Sequence, residues 1–222
     1  MQLSLSKAHY ISYLNRQLEN FFPDNSNHTK DIEKIFDSTI DRLNFCFKKV
    51  SFNRYFNGTN ALLNHLYSDH HLMLLWFLSN ESCKVLNHDA LASKFYYLNK
   101  SLHGFDCMFD TKMPDIFLVF HGVGTMLGKA TYNDYFVALQ GCTVGNNKGI
   151  YPVFQKGVAL TAHSSVIGDC KIGNLVTISS NTNVFDTNID DNSVVFKDAF
   201  GKNVTKKTTN SYAQSFFNEP II

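Results

Sequence analysis

The longest apolar run of the sequence, Leu72 to Leu78, falls far short of the roughly 20 residues a helix needs to cross a bilayer. The N-terminal MQLSLSKAHYISYLNRQLENFF is broken by Lys7, Asn15, Arg16 and Glu19, so it lacks the continuous hydrophobic segment of a signal peptide. A charge surplus is also missing, with 20 Lys and Arg against 19 Asp and Glu in 222 residues. That near-balance argues against a general nucleic-acid binder or a membrane-surface protein, and leaves partners to be recognised locally. No CxxC pair occurs among Cys46, Cys83, Cys107, Cys142 and Cys170, and their odd number suits reduced thiols rather than a disulfide framework. These absences lead us to expect a cytoplasmic protein with no membrane insertion, in which glycosylation-like triplets such as Asn57-Gly58-Thr59 are chance matches.

What the sequence does contain is two different periods. Over residues 1–103 apolar side chains recur at helical spacing, as in Leu62, Leu63 and Leu66 and then Leu72 to Leu78, with Thr59 or Asn60 as the expected N-cap of that helix. A further helix is expected from Asn87 to Asp89 through Leu91, Phe95, Tyr96 and Leu98, stopping at Gly104, a residue suited to a left-handed cap. Residues 1–103 therefore read as a helical domain.

After Gly104 the helical period disappears. From Leu160 the chain divides into hexads, LTAHSS, VIGDCK, IGNLVT, ISSNTN and VFDTNI, opening on Leu160, Val166, Ile172, Ile178 and Val184. The fifth place is small in most of them: Ser164, Cys170, Val176, Thr182. One inward aliphatic per short repeat is what a parallel β-helix requires, because each coil buries its ladder residue only by stacking it on the next. Upstream, VFHGVG, TMLGKA and FVALQG fit as coils in a looser register, and the Gly- and Asn-rich GNNKGIYP (145–152) is expected to leave the solenoid as a loop. The resulting fold class is an α + β chain with a helical domain (1–103), a β-helix (104–196) and a C-terminal tail (197–222).

The segments FHGVGTMLG (120–128), LQGCTVGN (139–146) and VALTAHSSVIGDCKIG (158–173) resemble the hexapeptide-repeat acyltransferases, and within them the serine acetyltransferase-like branch, which includes enzymes that modify surface sugars. The resemblance covers roughly residues 105–196, and it implies a left-handed parallel β-helix; elementary chain chirality favours the opposite hand for parallel connections. It further implies acetyl-CoA as co-substrate, no metal, and a homotrimer with active sites at subunit interfaces.

By the same resemblance His121 is the catalytic base that takes the proton of the acceptor hydroxyl. A neutral imidazole suits that step near pH 7, and Gly122 and Gly124 flank it with bare backbone. Such a histidine needs a carboxylate to orient it, and the family's aspartate, fifteen residues upstream, falls on Asp106, with Asp110 and Asp115 as rivals. Acetyl-CoA would run along the coils past the small residues Gly141, Ala162 and Ser180. Its phosphates would find a cation at Lys197 or at the neighbouring Lys202, Lys206 and Lys207. Asp69, in Tyr67-Ser68-Asp69-His70-His71, is expected to reach the acceptor, whereas adjacent histidines diverge on a helix and make a poor metal site there. His163 stands where the family usually carries glycine; it reads as a structural or surface residue, with the lining of the acceptor cleft as the alternative.

The acceptor surface departs from a serine site. Phe120 replaces the family's aspartate before the histidine, and Ile150 and Tyr151 replace its Arg-His pair before Pro152. Phe120 and Tyr151 are therefore expected to pack on a sugar or polysaccharide unit. The expected function is acetyl transfer to a sugar hydroxyl or amine; serine O-acetylation and a non-catalytic scaffold are the alternatives. No nucleic-acid partner is expected.

Overall fold

The computed structural model describes residues 1–222. Four helices come first: α1 (Lys7–Phe21), α2 (Thr29–Phe47), α3 (Ser68–Lys84) and α4 (Asp89–His103). Helix α3 is buried from Asp69 to Ser82, including all of Leu72 to Leu78. A helix apolar all round must be enclosed, and α3 lies between α2, α4 and the first coil of the solenoid. Helix α4 ends where Gly104 turns left-handed, at φ 62°; His88 caps its start by accepting the Leu91 N–H at 3.3 Å.

The helix expected to begin at Thr59 or Asn60 does not form there. Asn57 Oδ1 instead accepts the N–H groups of Thr59 and Asn60 in a turn (3.0 and 2.8 Å). Leu62 and Leu63 then form the short strand β2 (Leu62–Leu63), which pairs in parallel with β1 (Gln2–Leu3). A distant partner strand has outcompeted the local helical pattern, and α3 starts only at Ser68.

The remaining strands make a three-sided parallel solenoid. Its first side stacks β3 (Phe117–Val119), β5 (Phe136–Ala138), β8 (Ala159–Leu160), β11 (Thr177–Ile178) and β13 (Ser193–Lys197). The second stacks β4 (Met126–Leu127), β6 (Thr143–Gly145), β9 (Ser165–Ile167) and β12 (Asn183–Phe185), and the third pairs β7 (Val153–Phe154) with β10 (Lys171–Ile172). The hexad openers rotate around these sides. Leu160 stacks under Ile178 on the first side, Val166 under Val184 on the second, and Ile172 lies on the third, all fully or almost fully buried. Three hexads thus close one coil.

The helical layer and the solenoid share one continuous apolar core. The ring centroids of Trp76 and Phe77 on α3 stand 5.1 and 5.6 Å from that of Phe117 on β3.

Residues 197–222 are not a loose tail. Strand β14 (Asn203–Lys207) folds antiparallel onto β13 and closes the top of the solenoid. The chain then returns along the first side to the helical layer. There Ser51 N–H donates to Phe216 O and Asn218 N–H to Lys49 O, each at 2.9 Å, and Lys49 Nζ meets Glu219 Oε2 at 2.6 Å. The buried Phe216, Phe217 and Ile221 anchor this strap.

Candidate active site

The corner between the first and second sides takes three residues in the upper coils (139–141, 161–163, 179–181). The first coil has five, Phe120 to Gly124, between the buried Val119 and Thr125. The extra length makes the chain bulge, and His121 at its apex takes φ 55°, a left-handed conformation that non-glycine residues seldom adopt. Three contacts hold the bulge. Asp69 Oδ1 accepts the His121 N–H at 3.2 Å, His121 O accepts the Val123 N–H at 2.8 Å, and Gly122 presses on α3. A Cβ on Gly122 would come within 2.6 Å of both Leu72 Cδ1 and Val119 Cγ1, so His121 has to be followed by glycine.

The imidazole of His121 is 63% exposed, while the carboxylate of Asp69 beside it is only 4% exposed. Asp69 Oδ2 faces His121 Nδ1 at 3.5 Å and has no other partner. The contact is looser than a hydrogen bond, as catalytic pairs often are without substrate. It directs Nδ1 inward and leaves Nε2 facing out. Burial raises the carboxyl pKa of Asp69 above its ordinary 3.8, against the lowering effect of the His121 N–H and of the imidazole's charge.

That shift has a measurable consequence. A carboxyl with a raised folded-state pKa opposes folding once it ionises, so stability is lost as the pH rises through that value. Asp69→Asn is therefore expected to raise Tm at neutral pH. The gain should shrink on acidification and vanish below about pH 3.8, where Asp69 is protonated folded and unfolded. Thermal melts across pH check this; a loss of Tm at neutral pH would contradict it.

Asp106, the carboxylate expected to orient His121, is committed elsewhere. Its Oδ1 accepts from Tyr96 Oη at 2.8 Å and its Oδ2 pairs with Lys100 Nζ at 2.7 Å. Its backbone bridges Met126, beyond the His121 bulge. Gly104 O accepts the Gly124 N–H at 3.0 Å, so the rung that follows α4 lies under Gly124 to Met126 and carries Asp106 past His121. Asp110 is likewise paired, with Lys129 at 2.6 Å. Asp69, expected at the acceptor, is thus the residue that faces the histidine.

The aromatic pair also separates. Phe120 packs its ring 4.2 Å from that of His121, 5.3 Å from Phe52 and 5.6 Å from Phe216. Tyr151 lies instead with Asp106, Met108, Met126 and Lys129 around a cleft of about 210 Å³. The reason is the tight hairpin closed by the Asn147–Ile150 bridge, which keeps this segment close to the wall rather than letting it protrude. Phe52 and Phe216 gave no sign in the sequence, because they reach Phe120 from segments distant in the chain, one after α2 and one in the strap.

Gly141 floors the corner one coil above the bulge, at φ 67°, and His163 covers it. Ala162 adjoins that histidine. Ser180 lines a groove of about 600 Å³ between the first side and the strap, together with Leu139, Thr161, Ser179, Tyr212 and Ser215. The groove carries hydroxyls and no charged side chain. The Lys197 ammonium turns back onto its own hairpin, at 3.1 Å from Gly201 O and 3.3 Å from Asn203 Oδ1; Lys207 Nζ likewise donates to Asp191 O at 2.7 Å, and Lys206 Nζ stands 5.3 Å over the Phe196 ring.

The other two residues of the Asp-His-His run are internal. His70 Nδ1 accepts the Asn64 N–H at 3.1 Å, and His71 bonds His103 at 2.9 Å and Gln17 at 3.1 Å. Burial pushes His70 and His71 down to about 3 and His103 to about 4, so all three are neutral. His28, Asp31 and His88 bring donor atoms within 4.8 Å of one another, a cluster that sequence spacing did not suggest. The Lys94 ammonium already stands 3.3 Å from His28 Nε2.

No protein-family model matches the sequence, and no curated protein matches it. Solved structures do. A serine acetyltransferase in complex with cysteine aligns with a TM-score of 0.70 at 17% identity, over 91% of this chain and 81% of that one. A serine acetyltransferase in complex with CoA gives 0.68 at 19%, over 89% and 84%. The serine acetyltransferase of Brucella abortus strain S19 gives 0.66 at 15%, over 90% and 84%. The chain has the fold of these hexapeptide-repeat acyltransferases, a helical layer followed by a parallel β-solenoid. No helix is long and apolar enough to cross a membrane.

Proposed function

We propose that this chain is an acetyl-CoA-dependent O-acetyltransferase with His121 as general base and a sugar hydroxyl as acceptor. The observation that carries the reading is the exposed imidazole of His121, held in a strained bulge against the buried carboxylate of Asp69. A scaffold would have no use for that strain. Asp69 keeps the proton on Nδ1, so Nε2 takes the proton of the acceptor hydroxyl as its oxygen attacks the thioester carbonyl carbon. The carbonyl π electrons move to oxygen; the tetrahedral adduct then collapses, the C–S bond breaks, and the CoA thiolate receives the proton from Nε2.

The similar structures with CoA and with cysteine support the donor and the class of reaction. The groove lined by Ser179, Ser180, Tyr212 and Ser215 suits the donor's pantetheine arm, and Lys206, paired with the groove residue Val194, suits phosphate. Acetylation of serine is the second reading, favoured by those same neighbours. Against it stand Phe120, Ile150 and Tyr151, which offer no charge to a carboxylate or an ammonium. The half-buried pair Phe52 and Phe120, with ring centroids 5.3 Å apart, supports a sugar, whose ring packs on aromatic faces. We place the sites between the copies of a trimer, since Val123 and Met126 beside the bulge are 70% and 50% exposed.

Release of CoA from acetyl-CoA, followed over a panel of L-serine, amino sugars, nucleotide sugars and oligosaccharides, tests the reading. A sugar is expected to give the highest kcat/KM. A value for L-serine above about 10⁴ M⁻¹s⁻¹, ordinary for a true substrate, would establish the second reading instead.

A further inference from the structure

The corner above the His121 bulge has an unusual occupant. The pairing of Met126 with Thr143 and of Thr143 with Ser165 aligns Gly124, Gly141 and His163 in one column. All three are left-handed, with φ of 75°, 67° and 60°. Successive coils are about 4.8 Å apart, yet the His163 ring does not stay on its own level. It leans over Gly141, where an added Cβ would overlap imidazole Nδ1 and come within 2.7 Å of Cε1. Gly141 is thus a seat for this ring. The backbone N–H of His163 is fixed to Gln140 O at 2.9 Å, while the ring nitrogens have no partner in the chain and the residue is exposed.

The ring therefore lies on the level of Gly141, directly above Gly124, in the same corner as the His121 bulge one coil below. Acyl transfer creates negative charge on the thioester oxygen, and a donor positioned there in advance lowers the barrier. Resting on the acetyl-transfer reading above, we infer that His163 is a catalytic residue that donates a ring N–H to the carbonyl oxygen of the bound acetyl thioester. The bond is present in the bound donor and strengthens as the oxygen becomes an oxyanion, while His121, one coil below, handles the proton.

The inference can be tested without knowing the acceptor. In the His121→Ala protein, which turns over slowly, acetyl-CoA carrying carbon-13 at the acetyl carbonyl is titrated and followed by NMR. The bound carbonyl signal is expected downfield of the free one, as for a hydrogen-bonded carbonyl. In His121→Ala/His163→Ala it should return to the free value, and with His163→Asn, which keeps a donor, it should stay partly shifted. Calorimetric Kd for CoA, which has no acetyl carbonyl, should not change. An unshifted carbonyl in the parent protein, or a shift that survives His163→Ala, overturns the inference while leaving the acetyl-transfer reading intact. An equal weakening of CoA and acetyl-CoA by His163→Ala makes the histidine a wall of the cleft and also overturns it. Failure of the wild-type chain to bind either compound overturns both readings.

Discussion

His121→Ala is expected to lower kcat by about two to four orders of magnitude, the usual size of a general-base contribution, while the Kd for acetyl-CoA stays near the wild-type value. The side chain is 63% exposed and packs only on Phe120 and the Asp69 carboxylate, so its removal leaves no cavity in the core. The left-handed backbone at this position costs alanine more than histidine, but the bulge keeps its two backbone hydrogen bonds. Stopped assays of CoA release with the best acceptor, beside calorimetry with CoA, separate loss of chemistry from loss of binding. Near-normal turnover would remove His121 from the mechanism, and with it the main support for the proposed reaction.

The second large effect distinguishes two carboxylates. Asp69→Asn is expected to lower kcat by about three orders of magnitude, approaching the roughly 10⁴ lost when the aspartate of a protease triad becomes asparagine. The amide still fills the space and still offers an oxygen to the His121 N–H, but it no longer fixes the tautomer or balances the imidazolium. Asp106→Asn should leave kcat almost unchanged. Its partners are Tyr96 and Lys100, and a half-exposed pair of that kind contributes only about 0–1 kcal/mol to stability. The pairing of readouts matters: Asp69→Asn should lose activity and gain Tm at neutral pH, whereas a misfolded protein would lose both. If Asp106→Asn proves the more damaging, the orienting group is not the one that faces His121 here.

Several features were determined by the sequence alone. The hexads opening on Leu160, Val166, Ile172, Ile178 and Val184 fix the solenoid, because a six-residue period with one inward aliphatic has few other ways to bury its ladder. All five openers are in the core. Gly104 as a left-handed cap and the enclosed run Leu72 to Leu78 were equally legible, since both are local properties of composition and periodicity. The segment His121-Gly122-Val123-Gly124 stood out as a place where backbone had to be bare.

Only the tertiary structure decided which groups meet at that place. Asp69 and His121 are separated by 52 residues, and no periodicity relates a helix's first turn to a solenoid corner. Their contact follows from α3 packing against β3 through Trp76 and Phe77. Asp106 is near His121 in sequence, but its backbone runs beneath Met126, past the bulge, and Tyr96 and Lys100 hold its carboxylate. Phe216 reaches Phe120 only because the strap returns along the first side, held by Phe217, Ile221 and the Lys49–Glu219 pair. His163 could be read as an ordinary surface histidine until the stacking of coils placed its ring on Gly141. Local pattern specifies each rung because burial of a ladder residue is settled within a few residues. The site depends on contacts between distant segments, whose geometry is set by the packing of the shared core.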